Sequence, residues 1–335
     1  MSESSHIDAV ITWIDGSDPK HRKKRLKALG KEEDPPENQL PTGKDKTRFV
    51  DNGELKYCIA SIRKFAPWIR KIHILTDNQT PDFLSQEVMD KLNIHIVDHK
   101  EIFRRYEWAL PTFNSRTIET AIWRIRGLAP RFIYFNDDFI ITKKVKSTHF
   151  FKKEKVVLRG DWNKMSSYGS VRIQINNLVS SIAKKLFGIT RSMNLLLQIR
   201  SAQLAGFDNR YFRVPHVPHP IKKKTLEEFF DENPNSFGEN IKYKFRNLEQ
   251  FNGIYLANHL EIRKGDAKLK DTSDVVMLNG EMDFTFNITK KIQKIEDKDV
   301  RFVCLQGFEK FKTDQRDAID EVLYKLLDID SLFNS

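Results

Sequence analysis

The chain is 335 residues long, with 39% hydrophobic and 11% aromatic residues. This composition excludes a globally disordered protein, and the length allows one large α/β domain or two smaller ones. Lys and Arg together number 57 against 46 Asp and Glu, and the resulting formal charge of +11 favours partners that carry phosphate, namely nucleic acid, anionic lipid, nucleotides or a phosphorylated polymer.

The first half of the chain alternates between strand-like and helix-like segments. Four short apolar or β-branched runs predict strands, at 7–14, 72–75, 94–97 and 131–135. Between them, apolar residues recur at helical spacing over 55–66, stopping at Pro67, and over 118–125, stopping at Gly127. This alternation predicts an α/β fold built on a doubly wound, mainly parallel, Rossmann-like sheet.

The second half changes character at residue 143. Residues 143–200 are basic and include an apolar and basic stretch at 178–187. This composition predicts amphipathic helices, which pack on their own domain or face a membrane or a polymer. We therefore expect an α/β core of residues 1–142 and 201–310, a basic amphipathic helical insertion at 143–200, and a C-terminal docking helix within 311–335.

Cysteine content and apolar runs bear on the compartment. Cys58 lies in a helical pattern and Cys304 in an apolar run, so we expect two buried thiols. The N-terminal residues lead into a strand-like segment without the apolar region of a signal peptide, and no apolar run approaches the ~20 residues of a membrane span. We expect a cytoplasmic protein, with peripheral contact at the inner face of the plasma membrane as the closest approach to lipid.

Acidic side chains follow each of the four predicted strands. They are Asp15, Asp77, Asp98 and the pair Asp137 and Asp138. Asp is an ordinary turn and cap residue, so any one of these positions alone carries little weight. The four strand ends meet at the carboxyl edge of an open α/β sheet, where such folds bind ligands, and together they favour a binding site at that edge.

The pair Asp137 and Asp138 is the strongest metal candidate. Paired carboxylates at a strand end suit Mg²⁺ or Mn²⁺, which take oxygen ligands and share them with substrate phosphates. Adjacent Asp residues are common, so the pair by itself is a weak signal. We expect Mg²⁺ or Mn²⁺ as the cofactor.

A second candidate group is the segment 213–220, which contains His216 and His219 among three prolines. The prolines prevent a helix and stiffen the backbone. Imidazoles on such a segment are suited to act as a general base or as metal ligands, although a solvated surface loop is the alternative. A zinc site is disfavoured, because no Cys lies close by and no third ligand has suitable spacing.

Basic residues surround this segment. Arg210, Arg213 and Arg246, together with lysines 222–224, provide capacity for binding phosphate. The chain has no Walker A loop, no G-x-G-x-x-G motif and no G-x-S-x-G elbow, which argues against a P-loop enzyme, the usual dinucleotide binding and a serine hydrolase. Nucleic-acid binding would rest on charge alone, without a recognisable module, so we do not expect it.

Three blocks of the sequence resemble the Stealth proteins, which comprise bacterial hexose-1-phosphate transferases of capsule and wall polysaccharides and the catalytic subunit of the animal GlcNAc-1-phosphotransferase. The first block is IDAVITWIDGSDP at 7–19. The second starts with RFVDNGELKY at 48–57 and ends with YFNDDF at 134–139. The third is VPHVPHP at 214–220, followed by KFR at 244–246.

The fourth block departs from the family pattern. The family usually has Cys-Leu-Asn-Asp near the C-terminus, whereas this chain has Cys304-Leu305-Gln306-Gly307. The role of an acidic residue from that block is therefore missing here or has moved.

The resemblance implies a GT-A-like version of the fold and transfer of a hexose- or N-acetylhexosamine-1-phosphate. The donor would be a UDP- or GDP-linked nucleotide-sugar, and the acceptor a saccharide or lipid-linked saccharide, with release of UMP or GMP and formation of a phosphodiester in polysaccharide synthesis. The phosphorus under attack needs neutralisation by metal and Arg, and the acceptor hydroxyl needs a base.

The resemblance also assigns roles to residues. His219 is expected to be the general base, kept neutral by nearby Arg, with His216 as its support. Asp15 and Arg246 complete the catalytic candidates, and Asp137 and Asp138 are the metal candidates. The substrate-binding candidates are Trp13, Gly16, Asn52, Asp77, Asn114, Arg116, Arg210 and Arg213.

Two other functions are compatible with the sequence. A metal-dependent glycosyltransferase would carry the same acidic pair but would release the nucleoside diphosphate. A non-enzymatic polyanion-binding protein would rest on the net charge, and its binding would survive replacement of Asp137 and Asp138 by Ala.

Overall fold

The computed structural model describes residues 6–32, 53–165, 192–281, 283 and 285–333. Its centre is a five-stranded sheet of β1 (Ile7–Thr12), β2 (Ile72–Thr76), β3 (Ile94–Asp98), β4 (Arg131–Asn136) and β10 (His219–Lys222). The strand order is β10-β4-β1-β2-β3, and β1 to β4 are mutually parallel. Only β10 is antiparallel to its neighbour within this sheet, pairing His219 with Tyr134. The prediction of a mainly parallel α/β fold is confirmed.

Both faces of this sheet are covered, as a doubly wound fold requires. Ala9 and Ile11 of β1 pack into one apolar core, while Val10 between them packs into the other. The helices of the first half are α1 (Pro19–Leu29), α2 (Glu54–Phe65), α3 (Gln86–Lys91), α4 (His99–Ile102) and α5 (Ser115–Ala121). The two predicted helical patterns correspond to α2 and to α5 with the 3₁₀ turn Ile122–Arg124 that follows it.

Three smaller sheets flank the central one. The first has the order β12-β13-β5, from β5 (Phe139–Ile141), β12 (Val275–Asn279) and β13 (Phe302–Gln306). The second has the order β11-β7-β6, from β6 (Phe151–Lys152), β7 (Lys155–Arg159) and β11 (Ala267–Lys270). The third is a ribbon of β8 (Asp161–Lys164) and β9 (Arg210–Arg213).

The strands β6 to β8 differ from the prediction of a helical insertion at 143–200. Val156 and Leu158 of β7 pack into the core, and of the five residues of this strand only Lys155 is exposed. The stretch at 178–187, which suggested an amphipathic helix, lies outside the described residues.

Helices dominate the second half. They are α6 (Ser192–Leu204), α7 (Lys223–Glu232), α8 (Pro234–Ile241), α9 (Gly253–Arg263), α10 (Thr285–Ile295), α11 (Thr313–Leu327) and α12 (Ile329–Phe333). The hydroxyl of Tyr57 on α2 donates a 2.5 Å hydrogen bond to Asp320 on α11, so the C-terminal helix docks on the core. Among the described ranges, no helix has both the length and the apolar character that crossing a bilayer requires.

Candidate active site

The carboxyl edge of the central sheet brings the acidic pair and the histidines together. Asp137 and Asp138 lie between β4 and β5, directly after Asn136 at the end of β4. Because β10 runs antiparallel to β4, it begins at the edge where β4 ends, and it begins with His219. The ring of Phe139, the residue after the pair, lies 6.3 Å from the rings of both His216 and His219.

Asp138 is an under-satisfied carboxylate. Its Oδ2 accepts a 3.5 Å hydrogen bond from Sγ of Cys304, while its Oδ1 is buried and has no hydrogen-bond partner among the residues that the structure describes. Burial raises the pKa of this carboxyl to about 6. A buried carboxylate oxygen without a partner costs free energy that a bound cation would remove.

The pair fits Mg²⁺ or Mn²⁺ in the mode in which one or two carboxylates share the ion with substrate phosphates. The orphaned Oδ1 of Asp138 is the observation that supports this fit. In the part of the chain that the structure describes, no group of three or more His, Cys, Asp or Glu surrounds a common metal position.

The two cysteines are buried free thiols next to the acidic pair, as predicted. Burial raises the pKa of both thiols well above the ordinary value, and the charges of Asp137 and Asp138 raise it further. Both thiols therefore stay protonated at neutral pH and line the pair as apolar groups with weak donors.

His219 is enclosed by aromatic rings and is only 5% exposed. The ring centroids of Tyr134, Phe139 and Tyr255 lie 6.5, 6.3 and 6.0 Å from that of His219. Burial, and then the charge of His216, lowers the pKa of His219 to about 3. The expectation that nearby Arg keeps this ring neutral is thus wrong in its cause, because desolvation dominates.

His216 is half-buried and is the imidazole that the arginines affect. Its Nε2 lies 3.0 Å from Nδ2 of Asn194, whose Oδ1 accepts a 3.0 Å hydrogen bond from the hydroxyl of Tyr255. Burial, followed by the charges of Arg246 and Arg213, lowers the pKa of His216 to about 4. Both imidazoles are therefore neutral at physiological pH.

Arg246 reaches the site across the start of α5. Its Nη2 donates a 3.0 Å hydrogen bond to Oγ of Ser115, the first residue of that helix. Glu119, one turn further along α5, is buried and interacts electrostatically with Arg246 and Arg116. Burial is the largest influence on Glu119 and raises the pKa of its carboxyl.

Glu119 is a site residue that sequence reasoning missed. Its Oε2 accepts a hydrogen bond from Nδ2 of Asn252, and its Oε1 lies 2.9 Å from the hydroxyl of Tyr134, which in turn lies 2.5 Å from Oδ1 of Asn136. The carboxylate thus connects Arg246 with the strand end that precedes the acidic pair. The available signal was a charged residue on the buried face of an otherwise apolar helical pattern.

Asn114 and Arg116 lie beside this group and hold the neighbouring loop. Asn114 caps α5 by accepting from the backbone N–H of Arg116, and its Nδ2 donates to the carbonyl of Tyr243 and to Oε1 of Gln250. Arg116 is 3% exposed and donates to the carbonyl of Asn247 at 2.7 Å. Burial, and then the charge of Arg246, lowers the pKa of Arg116 to about 9.

The candidates after β1 and β2 are engaged in local contacts. The carboxylate of Asp15 accepts from the backbone N–H and the hydroxyl of Ser17, at 2.8 and 2.6 Å. Asp77 forms a 2.9 Å ion pair with Nζ of Lys24 on α1. Trp13 and Gly16 are buried, and Nε1 of Trp13 has no hydrogen-bond partner within the described ranges.

The two remaining arginines are separated along β9. Arg213, at the end of the strand, acts on His216, whereas the guanidinium of exposed Arg210 stacks on the ring of Trp162 at 4.2 Å. The three intervening steps of strand put their Cα atoms about 10 Å apart. A phosphate contact by Arg210 remains a prediction, and Asn52 lies outside the described residues.

Two regions of the chain match models of one protein family. The family models "Stealth protein CR1, conserved region 1" and "Stealth protein CR2, conserved region 2" match residues 5–33 and 48–158. The second region carries the acidic pair and Glu119, while His216, His219 and Arg246 lie beyond it.

Relatives match over most of the chain. It is 34% identical to the capsular polysaccharide phosphotransferase fcs1 of Haemophilus influenzae, over 75% of this chain and 64% of that protein. It is 29% identical to the exopolysaccharide phosphotransferase cps2G of Lactiplantibacillus plantarum, over 76% and 75% respectively. It is 30% identical to the exopolysaccharide phosphotransferase SCO2592 of Streptomyces coelicolor, of which it spans only 25%.

Among solved structures, an active-site mutant of LgtC is similar at a TM-score of 0.47 and 10% identity, with coverage of 98% of this chain and 96% of that one. The family models match in the order in which the blocks occur in the sequence, and the relatives extend the match past the histidines. The chain belongs to the Stealth protein family.

Proposed function

We propose that the protein transfers a hexose- or N-acetylhexosamine-1-phosphate from a UDP- or GDP-linked sugar to a sugar hydroxyl during polysaccharide synthesis, with release of UMP or GMP. The observation that carries the proposal is the convergence of Asp137 and Asp138, the neutral imidazoles of His216 and His219, and the Arg246 guanidinium at one sheet edge. The names of the relatives, capsular and exopolysaccharide phosphotransferases, support it.

The reaction is a displacement at the phosphorus that carries the sugar. The acceptor oxygen forms a new bond to this phosphorus, and the bond from phosphorus to the bridging oxygen of the diphosphate breaks. The electron pair of that bond leaves with the nucleoside monophosphate, and the acceptor proton passes to an imidazole nitrogen. Such a reaction depends on positioning and on stabilisation of phosphate charge.

The charge-stabilising groups flank the imidazoles. A Mg²⁺ or Mn²⁺ ion held by Asp137 and Asp138 would neutralise phosphate oxygens when bound. Arg246 supplies a fixed positive charge, and its contact with Ser115 and its neighbour Glu119 limit the positions that it can adopt. Arg is suited to this role, because its planar donors match the geometry of phosphate oxygens.

The proposed base is His219, with His216 as its support. The pKa values near 3 and 4 describe buried rings without a bound substrate, with His216 also beside the charges of Arg246 and Arg213. A bound diphosphate brings negative charge to the same place, which raises the pKa of both rings towards the neutral range where a base works best. Binding of the donor thereby makes these imidazoles stronger bases.

The test is a panel of nucleotide-sugars offered with Mg²⁺ or Mn²⁺ and a saccharide or lipid-linked saccharide acceptor, scored for the nucleotide released. Release of UMP or GMP, abolished in Asp138→Asn, is the expected result. Release of UDP or GDP would identify an ordinary glycosyltransferase instead. No turnover of any donor, together with polyanion binding that survives Ala at Asp137 and Asp138, would identify a non-enzymatic binding protein.

A further inference from the structure

One face of the small sheet β11-β7-β6 carries a set of cationic side chains. Alternate residues of a strand share a face, and residues paired directly across strands share it as well. The pairs Lys152 with Lys155, Lys268 with Val157, and Lys270 with Arg159 therefore lie on one face. The opposite face presents Phe151, Val156 and Leu158 to the core. We call the face that carries the basic residues the cationic face, and its members are Lys152, Lys155, Arg159, Lys268 and Lys270.

A hollow of about 450 Å³ opens on the cationic face. Its walls are formed by Thr148, His149, Lys152, Val157, Arg159, Lys268 and Lys270. This volume lies within the range of small-molecule sites, and it exceeds the size of a single phosphate group. The hollow therefore has room for a phosphate together with the sugar that it joins.

The positive charge of this hollow is only partly compensated. Asp274 receives hydrogen bonds from both Arg159, at 2.8 and 3.0 Å, and Lys270, at 2.7 Å. Within the described ranges, Lys152 and Lys268 form no ion pair with a carboxylate. Lys152 and Lys268 lie on the same face of the sheet, and the charge of Lys152 lowers the pKa of Lys268. An anion bound between them would relieve this repulsion.

The cationic face is connected to the candidate active site through the end of β7. Gly160, which follows Arg159, packs so closely on Arg213 that a Cβ at residue 160 would collide with the Arg213 carbonyl oxygen. His216 follows Arg213 by three residues, which places it at most about 10 Å away. A polymer whose end occupies the active site thus has cationic protein surface within a few sugar units.

We propose that the cationic face binds the phosphodiester groups of an anionic glycan, as a site separate from the point of transfer. The inference rests on the proposed function, because each transfer leaves one negatively charged phosphodiester in the product. A product that carries such charges along its length is held by Lys152 and Lys268 while its free end is extended. The preferred acceptor is then a glycan that already contains phosphodiesters.

The binding test uses a short and a long synthetic oligomer of glucose joined by phosphodiesters, with an uncharged glucose oligomer and a single-stranded oligonucleotide of equal charge as comparison probes. Affinity is measured by calorimetry for the wild type and for Lys152→Glu/Lys268→Glu. The matched control, Lys100→Glu/Lys325→Glu, makes the same charge change at exposed lysines of α4 and α11. Lys152→Gln/Lys268→Gln serves if charge reversal lowers the melting temperature.

We expect the double variant of the cationic face to bind the long phosphodiester oligomer about tenfold more weakly, since each charged contact contributes on the order of 1 kcal/mol. The control variant should bind it like the wild type, and release of nucleoside monophosphate with a monosaccharide acceptor should be unchanged in both. Equal weakening in the two variants, no weakening in either, or equally tight binding of the uncharged oligomer or the oligonucleotide would overturn the proposal. If no donor is turned over while oligomer binding still depends on Lys152 and Lys268, the proposed function fails and the binding site stands.

Discussion

The hydroxyl of Tyr134 lies 2.9 Å from Oε1 of Glu119. This contact joins the carboxyl end of strand β4 to α5, the helix whose first residue binds Arg246. The carboxylate of Glu119 acts through its neighbours, as a buried counter-charge for Arg246 and Arg116 and as an acceptor for Asn252. Glu119 is therefore a positioning residue in our interpretation.

Glu119→Ala should lower the free energy of unfolding by about 3 kcal/mol, because it leaves the buried guanidinium of Arg116 and the half-buried one of Arg246 without their counter-charge. Glu119→Gln keeps an acceptor oxygen for Asn252 but replaces the oxygen that accepts from the Tyr134 hydroxyl with an N–H donor. It should cost about 1 kcal/mol, while the KM for the donor rises. Chemical denaturation and donor titration measure the two effects, with Glu87→Gln on the exposed face of α3 as the control. A Glu119→Gln variant with wild-type KM would show that the role is structural only.

Asp138→Asn should stabilise the protein while it removes activity. The folded-state pKa of Asp138 is raised to about 6 from an ordinary value of 3.8, so the ionised carboxylate destabilises the fold, progressively from pH 4 and fully above pH 6. The variant should gain about 1 to 3 kcal/mol of unfolding free energy at pH 7.5 and almost none at pH 4. Asp82→Asn, at an exposed position, is the control.

The same variant tests the metal site without an activity assay. Mg²⁺ or Mn²⁺ that binds only the folded protein raises the melting temperature of the wild type. Asp138→Asn should lose most of this rise, and Asp82→Asn should keep it. An equal rise in all three proteins would exclude Asp138 as a ligand.

His219→Ala should reduce turnover by about 10²-fold or more with donor affinity retained, as expected for loss of a general base. His95→Ala, on the exposed side of β3, controls for the loss of an imidazole. If His216→Ala loses turnover and His219→Ala does not, the half-buried ring is the base. If neither variant loses turnover, Asp15 becomes the next candidate.

Arg246→Ala and Arg210→Ala should differ strongly in their effect on turnover. In the proposed function Arg246 stabilises the charge of the donor phosphates, so turnover should fall by about 10²-fold or more when it is removed. Arg210 is exposed and stacks on Trp162, so its removal should change turnover less than about threefold. Steady-state kinetics and melting temperatures of both variants distinguish a phosphate contact from a structural one, and equal losses would contradict this separation.

Acid should destabilise the protein over a defined range. The pKa values of His99, His216 and His259 are lowered to about 4 and that of His219 to about 3, mainly by burial. In the unfolded chain these rings take up protons near pH 6.5, so their contribution to stability is complete above that pH and is lost as the pH falls towards 4. Each ring contributes up to about 1.4 kcal/mol per pH unit, and Asp138 opposes the trend by one proton.

Denaturation at pH 7 and pH 5 measures this slope. A free energy of unfolding that is equal or higher at pH 5 would contradict it. His219→Gln should reduce the slope by one proton, whatever its effect on absolute stability.

Much of the fold follows from local pattern. The four parallel strands and the helices α2 and α5 were predictable, because β-branched runs and helical spacing of Leu55, Ile59 and Ile62 are properties of neighbouring residues. The strands β6 and β7 were not, because the prediction for this segment followed its basic composition and overlooked the short apolar run of Val156, Val157 and Leu158.

The sequence identified most residues of the candidate site, but it did not show how the fold brings them together. A strand end identifies Asp137 and Asp138, and stiff proline-rich backbone identifies the histidines. That His219 begins an antiparallel strand beside β4, and that Cys304 touches Asp138, depend on pairings across 85 and 166 residues, which no local pattern specifies. Glu119 was concealed for the same reason, because its partner Asn252 is 133 residues away.

The candidate site takes its carboxylates from the end of β4 and the imidazole of His219 from the start of β10. This matters when sequence similarity is used to assign an activity. The carboxylates belong to the stretch that the second conserved region covers, whereas His219 lies on a strand that begins 61 residues past its end at 158. A homologue that aligns only through residue 158 would share the acids without the imidazole that we propose as the base. An activity should be assigned from one such protein to another only when their alignment also includes the antiparallel strand β10.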